Sequence, residues 1–227
     1  MSSPLAMLVA FVFVWSLAHP ALAARKACDE FSELHLTLER NATDGDTEVV
    51  FFAKGQDDGM TKLVITNPKG RRVGAFEGDR KGIGIREFVL ESAEPEELDL
   101  VLGSFPAGDY TFVGRTVNHD CLRGTATLSH VLAPETTLLS PAADETVNVD
   151  EVVLRWAAVA EATQYVVELN NEDTGAENTF QVFPPQTSFE VPAAILELGS
   201  EYQFVVGVRT ADGNLTFVEH AFFTAEE

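Results

Sequence analysis

Two cysteines, Cys28 and Cys121, are the chain's only sulfur nucleophiles. Neither lies in a CxxC pair or beside a Cys/His cluster, so thiol redox catalysis and zinc ligation lack the spacing they need. In an oxidising compartment the pair reads as a structural disulfide closing a long loop, with a contribution of about 4 kcal/mol in the chain-entropy model. Asp44, Asp46 and Glu48 alternate on a loop that runs into a strand and could present three hard oxygens to calcium, although the twelve-residue EF-hand pattern is absent. The same residues also read as an Asp-Gly turn in a solvated loop, as Asp57-Asp58-Gly59 does. Histidines His35, His119, His130 and His220 are scattered, with no HExxH, no nucleophile elbow and no pair at metal spacing. Gly82-Ile83-Gly84 is a lone GxG without the βαβ setting of a nucleotide site. No nucleophile, base and oxyanion hole converge, and the expectation is a protein that is not an enzyme and carries no cofactor other than a candidate calcium ion. Lys69, Arg71, Arg72, Arg80, Lys81 and Arg86 form the one basic concentration. They either solvate hairpin ends or offer a patch to an anionic glycan, an acidic protein or the acidic second half of the chain.

These groups sit in a chain of 227 residues with 15 Lys+Arg against 36 Asp+Glu, a formal charge of -21, and 45% hydrophobic residues. With 16 Phe and only 16 Gly and 10 Pro, it is neither collagen-like nor a disordered acidic chain. The negative excess repels phosphate backbones and argues against nucleic acid as a partner. Met1 to Ala23 carry no Asp, Glu, Lys or Arg. An apolar run from Leu8 to Trp15 followed by Ala21-Leu22-Ala23 reads as a signal peptide with a small-x-small cleavage site. Ser16, His19 and Pro20 interrupt the run well short of the roughly 20 residues a spanning helix needs. The expectation is an exported protein, periplasmic or extracellular, without a transmembrane segment after signal removal. Arg25-Lys26-Ala27 before Cys28 argue against a lipid-modified cysteine.

Period-2 alternation and short apolar runs predict strands over 34–39, 48–54, 60–66, 72–76, 85–90, 110–117 and 125–132, with one helix over 94–102. Asn67-Pro68-Lys69-Gly70 is a turn, since Pro presets φ and Gly accepts a positive one. After Ala133-Pro134 lysine is absent and short strands recur over 152–156, 164–169, 179–183, 188–191, 202–209 and 217–224. The reading is all-β: two tandem β-sandwich domains, 24–133 and 134–227, after a signal peptide at 1–23. Residues 24–133 hold 13 basic and 19 acidic residues, net -6, whereas 134–227 hold two arginines and 17 acids, net -15.

The second half resembles a fibronectin type III module, of the wider immunoglobulin-like class. The residues that carry this are Val153-Leu154-Arg155-Trp156, Ala162-Thr163-Gln164-Tyr165, Thr187-Ser188-Phe189-Glu190-Val191-Pro192 and Leu196-Glu197-Leu198-Gly199-Ser200-Glu201-Tyr202. The resemblance implies that Trp156, Tyr165, Leu196 and Tyr202 build the core, with Tyr202 as a tyrosine corner. Asp212-Gly213-Asn214 stands where integrin-binding modules have Arg-Gly-Asp, so that route of adhesion is not implied, and the turn is a candidate binding loop. The first half resembles the N-terminal portion of uncharacterised exported bacterial proteins carrying such a module, on Asn41-Ala42-Thr43-Asp44-Gly45-Asp46, Asn67-Pro68-Lys69-Gly70-Arg71 and Phe105-Pro106-Ala107-Gly108-Asp109-Tyr110. That resemblance implies an exported modular protein and nothing catalytic. An internal echo between Gly108-Asp109-Tyr110 and Gly199-Ser200-Glu201-Tyr202 suggests a tyrosine at the start of a late strand in both halves. The function expected is a non-enzymatic binding or scaffold protein acting through sandwich loops and edges on an unidentified protein or glycan. The alternative, a polysaccharide-directed accessory protein, needs exposed aromatic platforms, for which Tyr110 and Tyr165 are the remaining tyrosines.

Overall fold

The computed structural model describes residues 27–79 and 82–226; the signal-type segment at 1–23, with Arg80 and Lys81, lies outside them. The chain is nearly all β. Strands β1 (Glu33–Asn41), β2 (Thr47–Lys54) and β5 (Glu87–Glu91) form one sheet of the first sandwich. Facing it in the order β4-β3-β6-β7 are β3 (Met60–Thr66), β4 (Arg72–Glu77), β6 (Gly108–Thr116) and β7 (Cys121–Leu128). In β2 every second residue is buried, Thr47, Val49, Phe51 and Ala53, the pattern of a strand with one face on a core. Leu38, Val49, Leu63, Ile65, Tyr110, Phe112 and Leu122 meet in that core, and burying a side chain of this size is worth about 1.5–3 kcal/mol.

The second sandwich packs β12 (Ala176–Val182), β11 (Gln164–Asn171), β14 (Glu201–Arg209) and β15 (Leu215–Thr224) against β13 (Ser188–Glu190), β10 (Val153–Trp156) and β8 (Leu138–Ser140). A two-residue strand, β9 (Thr146–Val147), runs parallel to the end of β15. Trp156 stacks edge-on against Tyr165 at 5.4 Å, and both are buried with Leu154, Val167, Phe204 and Phe222. Leu196 is half-buried against this core. The tyrosine corner is present, since the Glu197 N–H donates to the Tyr202 hydroxyl at 2.8 Å. Its echo is present too, the Tyr110 hydroxyl donating to the Pro106 carbonyl at 3.0 Å. The two cores divide between Leu132 and Ala133.

The sandwiches are not strung on a linker. β1 pairs in parallel with β15 through Glu39↔Leu215, Arg40↔Thr216 and Asn41↔Phe217, so one sheet runs β12-β11-β14-β15-β1-β2-β5 across both. Cys28 and Cys121 form a disulfide, S–S 2.01 Å, across a separation of 93 residues. It seats the N-terminal segment along β7, where the Asp29 N–H donates to the Cys121 carbonyl and the Arg123 N–H to the Asp29 carbonyl, both at 2.9 Å.

Three boundaries differ from expectation for identifiable reasons. β7 begins at Cys121, not Thr125, because a tight turn with His119 at φ 67° brings Cys121 opposite Arg115. The helix, α1 (Leu98–Ser104), starts four residues after Glu94 because Ser92 pairs with Val49 through both its N–H and its Oγ and keeps the chain extended there. Ile85 makes only an isolated bridge to Met60, so β5 starts at Glu87.

A double Cys28→Ser/Cys121→Ser variant is expected to lower the stability of the first sandwich by up to about 4 kcal/mol, read from urea unfolding. Equal midpoints for variant and parent would show that the bridge constrains nothing.

Candidate functional site

The turn singled out as a binding loop closes the β14–β15 hairpin, and it faces the first sandwich. Asn214 is fully buried. Its Oδ1 accepts from the Leu38 N–H on β1 at 2.9 Å, and its Nδ2 donates to the carbonyls of Ser129 at 3.1 Å and Val131 at 2.8 Å. One amide thus satisfies a strand and the connection between the sandwiches, and leaves nothing for an outside ligand. Asp212 is exposed, but the Thr210 hydroxyl donates to its Oδ1 at 2.6 Å. Burial alone would raise its pKa, yet hydrogen bonds from Thr210 and Ser129 hold it below the usual carboxylate value. Gly213 offers its carbonyl to Arg209 Nη1 at 3.1 Å. Of the candidate binding loop Asp212-Gly213-Asn214, Asp212 is exposed, whereas Asn214 is spent on the joint between the sandwiches. Leu215 and Thr216 are buried with Asn214.

Further contacts extend the joint. The Ala42 N–H donates to the Phe217 carbonyl at 2.8 Å, and the Glu219 N–H to the Thr43 hydroxyl at 3.0 Å. The ring of Phe217 lies over Gly207, where a Cβ would fall 2.5 Å from Phe217 Cε1, so glycine there is what lets the ring cover the neighbouring strand.

The joint has an electrostatic consequence. Glu39 and Glu48 are direct cross-strand partners on β1 and β2, an arrangement that destabilises like charges. Burial raises the Glu48 pKa to about 7, and Glu94, Glu39 and Glu91 add repulsion. Burial also raises Glu39, with Glu91 adding to the shift while the Thr37 hydroxyl and Arg209 oppose it. On β11, Glu168 is raised by burial and then by Glu177, Glu39 and Glu219. These carboxylates form a row across the outer face of the shared sheet. Glu39, Asp44, Asp46, Glu48 and Glu94 with Arg40 and Phe217 line a hollow of about 270 Å³ at the joint.

Asp44, Asp46 and Glu48 do share that hollow, but among the described residues no group of three or more acidic or other metal-ligating side chains is placed to hold a metal. Asp44 is occupied in its own loop, accepting from the Asp46 N–H at 3.0 Å and Asn41 Nδ2 at 3.2 Å. Of the three, Glu48 belongs to the row across the sheet. The rest of the row, Glu39, Glu91, Glu168 and Glu219, was missed because nothing local in the sequence shows that β11, β14, β15, β1, β2 and β5 lie side by side in one sheet.

The basic concentration separates in space. Lys69, Arg71 and Arg72 sit at the β3–β4 hairpin end, whereas Arg86 lies at the opposite end, paired with Asp57 at 3.1 Å. An antiparallel hairpin with six-residue β4 between them makes one continuous patch impossible. Tyr110 and Tyr165 are core residues, so neither offers a face for sugar stacking.

The sheet edges are guarded unequally. β5 carries Glu87 and Glu91 at its ends, β13 and β8 are three residues long, and β7 is covered by the segment at Asp29. β12 is seven residues long with Glu177 as its one charged side chain, and it runs into exposed Phe183. Long, nearly uncharged edges are the ones that accept another strand.

The raised carboxylates give a pH dependence of known sign. Each binds protons more tightly folded than unfolded, so folding is favoured at low pH and loses that support as pH rises from 4.5 to about 7 for Glu48. Glu48→Gln is expected to raise stability at pH 8 by about 1 kcal/mol after allowance for solvent screening, and to leave it unchanged at pH 4. Urea unfolding at the two pH values checks this, and equal effects at both would contradict it.

No protein-family model matches the chain, and no curated protein matches it. Among solved structures it is similar to a two-domain fibronectin type III segment of chicken tenascin, at 13% identity over 86% of this chain and 100% of that one, TM-score 0.33. It is also similar to the FN1–FN3 domains of chicken CNTN1, at 14% identity over 87% and 67%, TM-score 0.32. A tetra-tandem repeat from the extending region of a large adhesion protein is similar at 15% identity over 86% and 50%, TM-score 0.32.

Proposed function

We propose that this chain is an exported, non-enzymatic binding or scaffold protein that recognises another protein through a sheet edge. The observation that carries the reading is the unguarded β12 edge at one end of a sheet that is continuous through both domains. A partner strand added there would gain main-chain hydrogen bonds along seven residues, and side chains on alternate positions would set specificity. The shared sheet fixes the edge relative to the first domain, so little orientational freedom is lost on binding. Export is supported by the signal-type segment and by the Cys28–Cys121 bridge, which belongs to oxidising compartments. Among the described residues no helix is long and apolar enough to cross a membrane.

Capture from envelope and culture extracts tests the reading. The parent chain should retain a partner that a Thr179→Lys/Gln181→Lys variant loses, since lysine on an edge blocks strand addition. Recovery of the same proteins by both, or of nothing above background by the parent, would overturn it.

A further inference from the structure

The first sandwich is open along one flank. Where the edges of β4 and β5 fail to meet, Phe51, Ile65, Val73, Leu90 and Phe105 line a mostly apolar hollow of about 100 Å³, with Glu91 and Ser92 at one side. It continues past Val73 and Phe105 into a second depression of about 260 Å³ rimmed by Arg71 and Arg72. Gly74 lies within strand β4 and leaves the hollow unfilled. A Cβ there would meet Ile65 Cδ1 at 3.5 Å and Leu90 Cδ1 at 3.8 Å, ordinary contacts, so a larger residue would fit. Glycine inside a strand weakens it and commonly marks close approach by another group. Among the described residues neither Arg71 nor Arg72 is paired with a carboxylate.

The far end of the second sandwich carries the complementary shape. Leu198 is 57% exposed, with Ile195 partly exposed beside it. The corner that presents Leu198 is rigid: the Glu197 N–H donates to the Tyr202 hydroxyl at 2.8 Å, and the Gly199 N–H to the Ala225 carbonyl at 3.0 Å. Glu197 and Glu201 flank it in the chain and Glu226 lies against Gly199, in a domain of net charge -15. An exposed leucine with acidic neighbours thus matches a groove whose outer depression is lined by Arg71 and Arg72, and a preformed corner loses little freedom on docking.

The two features cannot meet within one molecule. Phe217 is the last β15 residue paired with β1, and Thr224, whose hydroxyl donates to the Glu197 carbonyl, lies seven residues further along the strand. At about 3.3 Å per residue this places the corner roughly 23 Å beyond the end of β1. We propose that the chain self-associates head to tail, with the Leu198 corner of one copy seated in the β4–β5 groove of the next. Such a heterologous contact leaves a free groove and a free corner at each step, so it grows into open chains.

Sedimentation velocity on the full chain over a concentration series tests this. The parent should form dimers and longer species that dissociate when salt is raised from about 50 mM to about 500 mM, as screened charge pairs require. Gly74→Leu, with a filled groove, and Leu198→Lys, without its knob, should each be monomeric, yet an equimolar mixture should form a 1:1 dimer and nothing larger. Arg71→Glu/Arg72→Glu, at two exposed positions, replaces Gly74→Leu if that variant fails to fold, and should also be monomeric alone. A parent that stays monomeric up to about millimolar concentration, or a mixture that stays monomeric, would overturn the proposal. The Thr179→Lys/Gln181→Lys edge variant should self-associate like the parent, which separates this contact from recognition at β12.

Discussion

The side-chain amide of Asn214 joins the two halves of this molecule. Its oxygen takes the Leu38 N–H, and its nitrogen takes two carbonyls from the connection between the sandwiches. Only three residue pairs link β1 to β15, a ladder too short to hold two domains by itself. A buried amide with three partners on two separate segments adds directionality that apolar contact lacks, and leaving any of those partners unmade would cost about 1–3 kcal/mol. The hairpin turn, the parallel ladder and the path of residues 129–131 therefore form one unit.

That unit explains why like charges are tolerated. The β1–β2 hairpin places Glu39 opposite Glu48, with Glu91 nearby on β5, and extending the sheet into the second domain adds Glu168 and Glu219 to the same electrostatic neighbourhood. Arg209 opposes the shift at Glu39, and Arg40 instead secures the loop by donating to the Thr47 hydroxyl at 2.9 Å and the Gly45 carbonyl at 3.1 Å. The remaining repulsion is relieved by raised pKa values, since a carboxylate can take up a proton more readily than a hydrogen-bonded joint can open. The joint thus gathers carboxylates from both domains, Glu39, Glu48 and Glu91 from the first and Glu168 and Glu219 from the second.

What was legible in the sequence follows from the range of each signal. Alternation in Thr47–Lys54 marks a half-buried strand because a period of two is local. Tyr202 was recognisable because the corner it pins lies within a few residues. The Cys28–Cys121 bridge was legible as well, since two cysteines have one possible pairing. The β1–β15 ladder was not, because a parallel pair between residues 39–41 and 215–217 leaves no local trace. For the same reason Asp212-Gly213-Asn214 read only as a candidate binding loop: a turn's residue types report its backbone geometry but not which domain it faces. The basic residues could be read either as solvated hairpin ends or as one patch, because proximity in sequence does not show that Lys69, Arg71 and Arg72 lie at the other end of the hairpin from Arg86.

Domains joined by a flexible connection sample many orientations, and a partner touching both must select one of them. Here the β12 edge and the β4–β5 groove lie at opposite ends of a body whose two halves share backbone hydrogen bonds, so their separation is set before any partner arrives. A fixed spacing favours partners that match it and gives no advantage to those that do not, because effective concentration falls to near zero when two sites cannot be spanned. Under the proposed reading the buried amide at Asn214 serves recognition without touching a ligand, because it holds the two sandwiches in one defined geometry.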